Sequence, residues 1–402
     1  MLTIVGGIYR EKCMRPYRDE IYGSAGRAAS AIAKLGGAVA LHGYMNDNTQ
    51  EVLAARAIEE NFQVLPSRAS SIVAFRYSHA LARPNFRVLD CDLPPIEVRA
   101  DHVVRYGMLE GTAVVHADFA VYDPQNMHLP ESFHRNGSTA NHLAVVLNRY
   151  EACALLGERG LDPEKTAARI AEQERAEVVI LKMGPQGALV WHAGKIDRIP
   201  AYATTRVWKI GSGDQFVANF AYEWIEKNSP PVEAADRASR ATAYYVQTGI
   251  FPDPAELNAF KPEPILVSDR YVAGHRPRVY LAGPFFTLGQ RWVIKQARDC
   301  LRDMGLDVFS PIHDVGPGPA STVVTKDLDG IEDCELMLAI ADGLDSGTVY
   351  EIGYARRSGK PVVVYAESES EEDCKMMMGS DCFMRDDFVS AIYQTAWVAA
   401  SL

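Results

Sequence analysis

The sequence predicts an α/β protein of two domains, each with helices packed on a mainly parallel sheet. Three observations predict it. Short apolar runs alternate with stretches of helical period. A seam between residues 252 and 277, carrying Pro252, Pro254, Pro262, Pro264 and Pro277, holds neither period. Past it a buried-strand signature, Val279-Tyr280-Leu281-Ala282, opens a second series. The expected division is a domain over 1–262, a linker over 263–277 and a domain over 278–402.

Residues 1–7 enter a strand directly. Apolar runs over 38–42, 113–116, 143–147, 178–181 and 188–191 predict further strands, between helices that include 26–35, 52–61 and 214–227. In the second domain strands are expected near 278–282, 307–310, 335–341 and 361–365, and helices near 289–304, 348–357 and 384–398. Ligands of such sheets are expected at the carboxyl ends of the strands. The acidic run 367–373 reads as a solvated loop.

Composition narrows the function. An apolar share of 48% and a charged share of 23% are those of a packed enzyme. Against 52 acidic residues stand 41 basic ones, and the net charge of −11 disfavours nucleic-acid partners. The seven cysteines, Cys13, Cys91, Cys153, Cys300, Cys334, Cys374 and Cys382, are odd in number and scattered, so neither disulfides nor structural zinc is expected. No leader and no apolar run near the ~18 residues of a membrane span is evident, so no membrane association and a cytoplasmic location are expected.

The first chemical constellation is Gly211-Ser212-Gly213-Asp214, followed by Phe216, Phe220 and Trp224 on one helical face. Glycines at a helix N-terminus leave backbone N–H groups for a developing phosphoryl charge, and Asp214 could take the proton of an attacking hydroxyl. By itself such a run is equally a plain helix cap. With its upstream motifs it resembles the ribokinase-like (PfkB-type) sugar and nucleoside kinases over residues 1 to 262. Gly23-Ser-Ala-Gly26 resembles the family's substrate-side turn, Asn148-Arg149-Tyr150-Glu151 its N-x-x-E, and Lys182-Met183-Gly184-Pro185-Gln186-Gly187 its nucleotide-side G-x-x-G turn. The resemblance implies a ribokinase-like three-layer α/β fold, ATP and Mg2+ as cofactors, and magnesium organised near Asn148 and Glu151 without a direct ligand assigned. It also implies nucleotide binding at Gly184 and Gly187, an anion hole at Gly211, Ser212 and Gly213, Asp214 as catalytic base, and acceptor binding at Gly26 and Arg27. Trp208-Lys209-Ile210 replaces the family's Asp-Thr-Thr, Arg27 an asparagine, and Arg10-Glu11 an acceptor-gripping aspartate. Either an unusual acceptor or an impaired kinase follows from these departures. The family's lid is expected from 68–92.

The second constellation combines Tyr280 through Phe286, Ser310-Pro311, Asp327-Leu328-Asp329-Gly330, and Asp345-Ser346-Gly347-Thr348 leading to Glu351. Breaking a base from C1 of a sugar passes through an oxocarbenium-like state, which a carboxylate on one face and an acid near the base would serve. From the residues alone, a strand aromatic at Tyr280, a cap at Asp327 and a surface glutamate at Glu351 are the alternatives, and Asp342-Gly343 reads as the turn after a strand. Together they resemble the nucleoside 2-deoxyribosyltransferases over 277 to 402. That resemblance implies a Rossmann-like (flavodoxin-like) parallel sheet, Glu351 as nucleophile, Asp327 as proton donor to the base and Tyr280 as the hydroxyl steadying the nucleophile. Gly283, Asp345 and Ser346 are implied in substrate binding, Asp345 fitting an unphosphorylated sugar 5-hydroxyl and Ser346 a phosphate. It further implies a homo-oligomer in which 376–385 reaches a neighbouring chain.

Joined, the halves imply a bifunctional enzyme with a nucleoside or sugar substrate. Cleavage followed by sugar phosphorylation, and phosphorylation to a nucleoside monophosphate followed by hydrolysis, are both open. So is a degenerate kinase domain acting as a nucleotide-binding scaffold.

Overall fold

The computed structural model describes residues 1–89, 92–125, 130–158 and 160–402. Cys91, and with Asp90 part of the expected lid segment, lie outside the described residues. The chain divides into two compact units: Met1–Thr204 with Trp208–Pro264, and Thr205–Val207 with Ile265–Leu402.

In chain order the first unit begins β1 (Leu2–Val5), β2 (Arg10–Arg15), β3 (Arg18–Ile21), α1 (Gly23–Lys34), β4 (Val39–Met45), α2 (Asp47–Glu60) and β5 (Gln63–Arg68). It continues with β6 (Ala74–His79), β7 (Asn85–Arg87), β8 (Ile96–Arg99), β9 (His102–Tyr106), β10 (Ala113–Asp123), β11 (Thr139–Asn148), α3 (Arg149–Leu156) and α4 (Pro163–Glu174). Then come β12 (Val178–Lys182), β13 (Ala188–His192), β14 (Lys195–Ile199), α5 (Ser212–Ala221), α6 (Pro231–Thr248) and α7 (Pro254–Ala259). The main sheet runs β14-β13-β12-β11-β10-β9-β1-β4-β5, with β8 also paired to β10. Its pairs are parallel except β12–β13 and β13–β14.

Both faces are covered, as parallel strands require. Ala144 and Val146 of β11 and Val178 and Ile180 of β12 enter one core with residues of α1, α5 and α6. Their neighbours Val145, Leu147, Val179 and Leu181 enter another with residues of α4. Strand alternation thus builds a three-layer α/β unit. A second small sheet has the order β3-β2-β6-β7. The expected lid segment supplies β6 and β7, but residues 10 to 21 supply β2 and β3. Those two strands escape the apolar pattern because β2 alternates exposed charges around the single buried Cys13.

The second unit holds α8 (Asp269–Val272), β15 (Arg278–Ala282), α9 (Leu288–Asp303), β16 (Asp307–Phe309), α10 (Pro311–Asp314), α11 (Ala320–Asp333) and β17 (Leu336–Ile340). It ends with α12 (Ser346–Arg357), β18 (Val362–Tyr365), α13 (Glu371–Gly379), β19 (Phe383–Arg385) and α14 (Phe388–Ser401). Its five strands, in the order β16-β15-β17-β18-β19, are all parallel. That is the flavodoxin-like order 2-1-3-4-5, whose switch point lies between β15 and β17. Helices α9 and α14 pack on one side, and α11, α12 and α13 on the other.

Three local expectations change. Helix 214–227 becomes α5 followed by a widened π turn, Tyr222–Glu226, in which Trp224 stacks on Phe220 at 5.8 Å. Helix 384–398 starts later, because Phe383 and Arg385 pair with Val363 and Tyr365 and Asp387 then caps α14. The proline seam carries two short helices: Pro254 sits in the first turn of α7, where its missing N–H costs nothing, and Asp253 and Glu256 close a capping box.

Phe220 is fully buried in the core against α5's own π turn. Phe220→Ala is expected to destabilise the first unit by about 3–5 kcal/mol. Urea unfolding followed by tryptophan fluorescence checks this, and a midpoint equal to wild type would contradict the packing described.

Candidate functional site

In the first unit the site forms where α1 and α5 begin beside the carboxyl ends of the parallel strands. Arg27, in α1, is 1% exposed. Its Nη2 donates to Glu11 Oε2 at 2.5 Å and its Nε to the Tyr245 hydroxyl at 3.1 Å. Nη1 reaches the Gly23 carbonyl at 3.2 Å, and both Glu11 and Asp214 at 3.4 Å. The guanidinium lies so close to Gly211 that a Cβ there would fall 1.9 Å from Arg27 Nε, and Gly211 also has φ +77°. Only glycine fits that cap. Burial raises the Glu11 carboxyl above the usual range, with Arg27 opposing it. Burial alone would lower the Arg27 guanidinium, but Glu11, Tyr245 and Asp214 reverse the sign.

Asp214 lies in the first turn of α5 and is buried. Its Oδ1 accepts from Gln125 Nε2 at 2.6 Å, and Gln125 also donates to Asp123 Oδ2 at 3.2 Å. Lys182 Nζ donates to Asp123 Oδ2 at 2.7 Å. Burial pushes the Asp123 carboxyl up to about 7, Lys182 pulling it down and Glu151 adding to the rise. Ser212 receives a hydrogen bond from Lys209 Nζ at 2.8 Å, and Gly213 faces Lys182. Burial, then repulsion from Lys182, lowers the Lys209 ammonium.

Asn148 and Glu151 close a capping box at the start of α3: Asn148 N donates to Glu151 Oε2 at 2.7 Å and Glu151 N to Asn148 Oδ1 at 2.9 Å. Asn148 is the register partner of Lys182. Gly184 and Gly187 follow on the turn after β12, and a Cβ at Gly187 would strike the Ile199 carbonyl oxygen at 2.0 Å. Gly26 is buried, yet apart from its chain neighbours and its own helix backbone no described atom lies within 4 Å of where its Cβ would be, so space opens beside α1. Thus Gly26, Arg27, Gly211, Ser212, Gly213 and Asp214 adjoin one another, and Asn148 and Glu151 stand with Lys182 at neighbouring strand ends.

Asp123 is wholly buried and its Oδ1 has no hydrogen-bond partner, so a divalent cation would find an acceptor there, although among the described residues no group of three or more acidic, histidine or cysteine side chains is gathered to hold a metal ion. Sequence reasoning missed Asp123, the last residue of β10, and Gln125, which follows it after Pro124. An acidic residue closing an apolar strand was the available signal.

In the second unit Tyr280 is fully buried in β15, and its hydroxyl donates to Glu351 Oε1 at 2.6 Å. Glu351, on the second turn of α12, projects back over the strand ends. Burial pushes its carboxyl up to about 7; Tyr280 opposes, and Asp327 and Asp345 add to the rise. Burial, then Glu351, raises the Tyr280 phenol. Asp327, in α11, is raised by burial and its Oδ1 is unpartnered. Tyr280, Glu351, Asp327 and Asp345 are therefore one electrostatic cluster.

Asp345 caps α12, its Oδ2 accepting from Thr348 N at 2.9 Å and Thr348 Oγ1 at 3.0 Å. Ser346 is exposed beside it. Gly283 ends the β15 turn, where a Cβ would meet Ile294 Cδ1 at 2.6 Å. Asp342 Oδ1 accepts from Glu367 N and Ser368 N at the start of the acidic run, whose last residues, Glu371, Glu372 and Asp373, open α13 instead of continuing the expected loop.

Fold and sites together define a ribokinase-like α/β unit followed by a flavodoxin-like unit with a buried Tyr–Glu pair. Residues 137–249 match the family model of pfkB family carbohydrate kinases, and residues 279–384 that of nucleoside 2-deoxyribosyltransferases. The chain is similar to the fructokinase from Vibrio cholerae O395, solved with fructose, ADP and calcium ion, at 16% identity, covering 64% of this chain and 98% of that one with a TM-score of 0.51. A double mutant of that fructokinase, bound to fructose, ADP and potassium ion, gives 16% identity, 64% and 97% coverage and a TM-score of 0.53. The ribokinase from Thermotoga maritima has 15% identity, 64% and 98% coverage and a TM-score of 0.46. The two fructokinase likenesses establish the ribokinase-like fold of the first unit. No curated protein gives a match. Among the described residues no helix is long and apolar enough to cross a membrane.

The Glu351 carboxyl is expected to titrate near pH 7. Because the Tyr280 hydrogen bond favours the charged form, Tyr280→Phe should move that midpoint upward. Carbon-13 NMR of glutamate-labelled protein, assigned with Glu351→Gln, checks both, and a midpoint near the ordinary 4.5 would contradict the burial.

Proposed function

We propose that the chain is a bifunctional enzyme of nucleoside breakdown or salvage. The second unit breaks the N-glycosidic bond of a ribo- or deoxyribonucleoside, and the first uses ATP to phosphorylate the released sugar. The observation that carries this reading is the buried Tyr280–Glu351 hydrogen bond of 2.6 Å at the flavodoxin-like switch point.

Glu351 attacks C1 of the sugar; the bond from C1 to the base nitrogen breaks, and that nitrogen takes a proton from Asp327. The result is a sugar–Glu351 ester and free base. Water then attacks C1, the ester C–O bond breaks, the water proton passes to Asp327, and Glu351 leaves as carboxylate. A second base in place of water gives exchange. The raised pKa of Asp327 keeps a protonated fraction for the first step. Asp345 supports an unphosphorylated sugar, since a phosphate beside its carboxylate would be repelled.

In the first unit Asp214 takes the proton of the acceptor hydroxyl as that oxygen bonds to the γ-phosphorus and ADP leaves. The N–H groups of Gly211, Ser212 and Gly213 hold the transferring charge. Gly184 and Gly187 would line the nucleotide, and Gly26 and Arg27 the acceptor. Mg2+ held by Asp123 and Glu151, with Asn148 orienting Glu151, would supply neutralisation of phosphate charge. Exposed Phe286, Leu288, Trp292 and Tyr350 support assembly into a homo-oligomer.

A second reading draws on the Arg27 contact to Asp214: a base already paired with a buried cation suits a unit that binds nucleotide without transferring phosphate. Kinase-first order, giving a nucleoside monophosphate for the second unit to hydrolyse, is the remaining alternative.

Nucleosides incubated without ATP should release free base, and Glu351→Ala should lower that rate by at least about 100-fold. Release only after ATP addition would establish kinase-first order, and undiminished release by the alanine variant would remove Glu351 from the chemistry. ADP formation with sugars and nucleosides should fall by about 100- to 10,000-fold in Asp214→Asn. Equal background in both proteins would leave a nucleotide-binding scaffold.

A further inference from the structure

Arg105, near the end of β9, is 2% exposed, and among the described residues no carboxylate pairs with it. Its partners are neutral. Nη1 donates to the Phe133 carbonyl and to Ser138 Oγ, both at 3.1 Å, and Nη2 to Thr112 Oγ1 at 3.3 Å. The buried Nε has no partner. Nε–H and the remaining Nη2–H belong to the edge of a guanidinium that takes a pair of carboxylate oxygens. The Tyr122 and Phe133 rings pack against the group, 4.7 and 5.5 Å from its Cζ.

Arg105 lines a cavity with Tyr106, Gly107, Thr112, Tyr122 and Pro124, of about 270 Å³ with its open mouth included. Side chains alternate along β9, so Arg105 lies on the α4 side of the sheet with Tyr122, whereas Tyr106 enters the core on the α5 side, where Asp214 stands. Glu131, also in the lining, and Glu174 act on the guanidinium from beyond ion-pair distance. Glu174 is spent on Phe133 N at 2.8 Å and Ser132 Oγ at 3.0 Å. Burial lowers the Arg105 guanidinium, and Tyr122, Glu131 and Glu174 oppose this without reversing it, unlike the partners of Arg27.

We propose that the Nε–Nη2 edge of Arg105 binds the carboxylate of a small monocarboxylate ion in this cavity, on the face of the sheet away from Asp214. One oxygen accepts from Nε–H and the other from Nη2–H, which completes the hydrogen bonding of the buried cation. Glu131 and Glu174 repel a second negative charge, so a monoanion is specified and a phosphate dianion is not. The space suits a formate or acetate ion and is too small for a nucleotide. The site stands whether or not the first unit transfers phosphate. Its walls nevertheless adjoin the groups that hold Asp214: the Tyr106 hydroxyl donates to the Asp214 carbonyl at 3.1 Å, and Gly107 N to the Asp123 carbonyl at 2.9 Å. A Cβ at Gly107 would fall 2.1 Å from the Gln125 carbonyl oxygen, so an ion in the cavity bears on the residue that bridges Asp123 and Asp214.

The probe is sodium formate, titrated into the full chain labelled with nitrogen-15 arginine in a buffer free of other carboxylates. The Arg105 Nε–H resonance, assigned with Arg105→Lys, should move and saturate with a Kd of about 1 mM. Glu131→Gln, which removes a like charge from the lining, should tighten binding about two- to tenfold. In calorimetry Arg105→Met should give no formate heat, and Lys195→Met, at an exposed lysine, should match wild type. Thermal melts identify any variant that fails to fold; should Arg105→Met be one, the wild-type resonance and Glu131→Gln carry the comparison.

An Arg105 resonance unmoved at about 100 mM formate, a hundredfold above that Kd, would leave a cavity that holds water only and would overturn the site. Equal movement with sodium chloride at the same ionic strength, or binding no tighter in Glu131→Gln than in wild type, would overturn it as well.

Discussion

Parallel strands impose one constraint on both units. A crossover helix must return the chain to the start of the next strand, so the helix N-termini collect at the edge where the strands end. Those N-termini carry unpaired N–H groups and a positive field, and the polar atoms placed among them are partly buried. The two units dress that edge differently. In the first, Gly211 and Gly213 flank the start of α5 and Lys182 and Lys209 stand beside it, offset by Asp123, Glu151 and Asp214. In the second, Asp345 closes the α12 terminus, and the field falls on carboxylates that lie over the strand ends.

Arg27 shows how tightly the first site is specified. Its guanidinium could reach neither Asp214 nor Tyr245 if position 211 had a side chain, and Gly211 could not take its left-handed cap cheaply with any other residue. One substitution in α1, relative to the family's asparagine, is therefore locked to a glycine far along the chain. Its pairing with Glu11 also explains why an acidic residue stands in β2: a buried arginine needs a carboxylate, and Asp214 at 3.4 Å is a looser partner than Glu11 at 2.5 Å. Arg27 and Glu11 are better understood as a mutual pair than as two separate replacements.

Legibility in the sequence followed burial. Fully buried strands such as β12, β15 and β17 announce themselves as apolar runs, and the helices beside them by their period; the class of both units and most of the central elements were readable on that ground. The small sheet was not, since β2 and β3 present charges to solvent and hold their place by pairing with β6. In the sites, Asp214 and Glu351 were readable because each sits at a fixed distance from a glycine turn that opens its helix. Asp123 and Gln125 were not. They meet Asp214 only across the sheet, 91 and 89 residues away in the chain, and no local spacing encodes that approach. Lys209 was visible as a departure, but its hydrogen bond to the Ser212 hydroxyl is a property of the folded site.

The second unit must keep two carboxyl groups in opposite states. In the proposed mechanism Glu351 attacks as a carboxylate while Asp327 gives up a proton, although burial raises both. The hydrogen bond from Tyr280 breaks the symmetry, because it reaches Glu351 alone and favours its charged form. Asp327, whose Oδ1 lacks a donor, has nothing comparable to stabilise its anion. Each charge also raises the neighbour's proton affinity, so ionising Glu351 first helps keep Asp327 protonated. When the ester forms, Glu351 loses its charge and that repulsion disappears, which makes Asp327 more acidic at the moment the departing base needs its proton. The phenol of Tyr280, with its own ionisation pushed far up, remains a donor throughout and can follow whichever Glu351 oxygen is left with the greater charge.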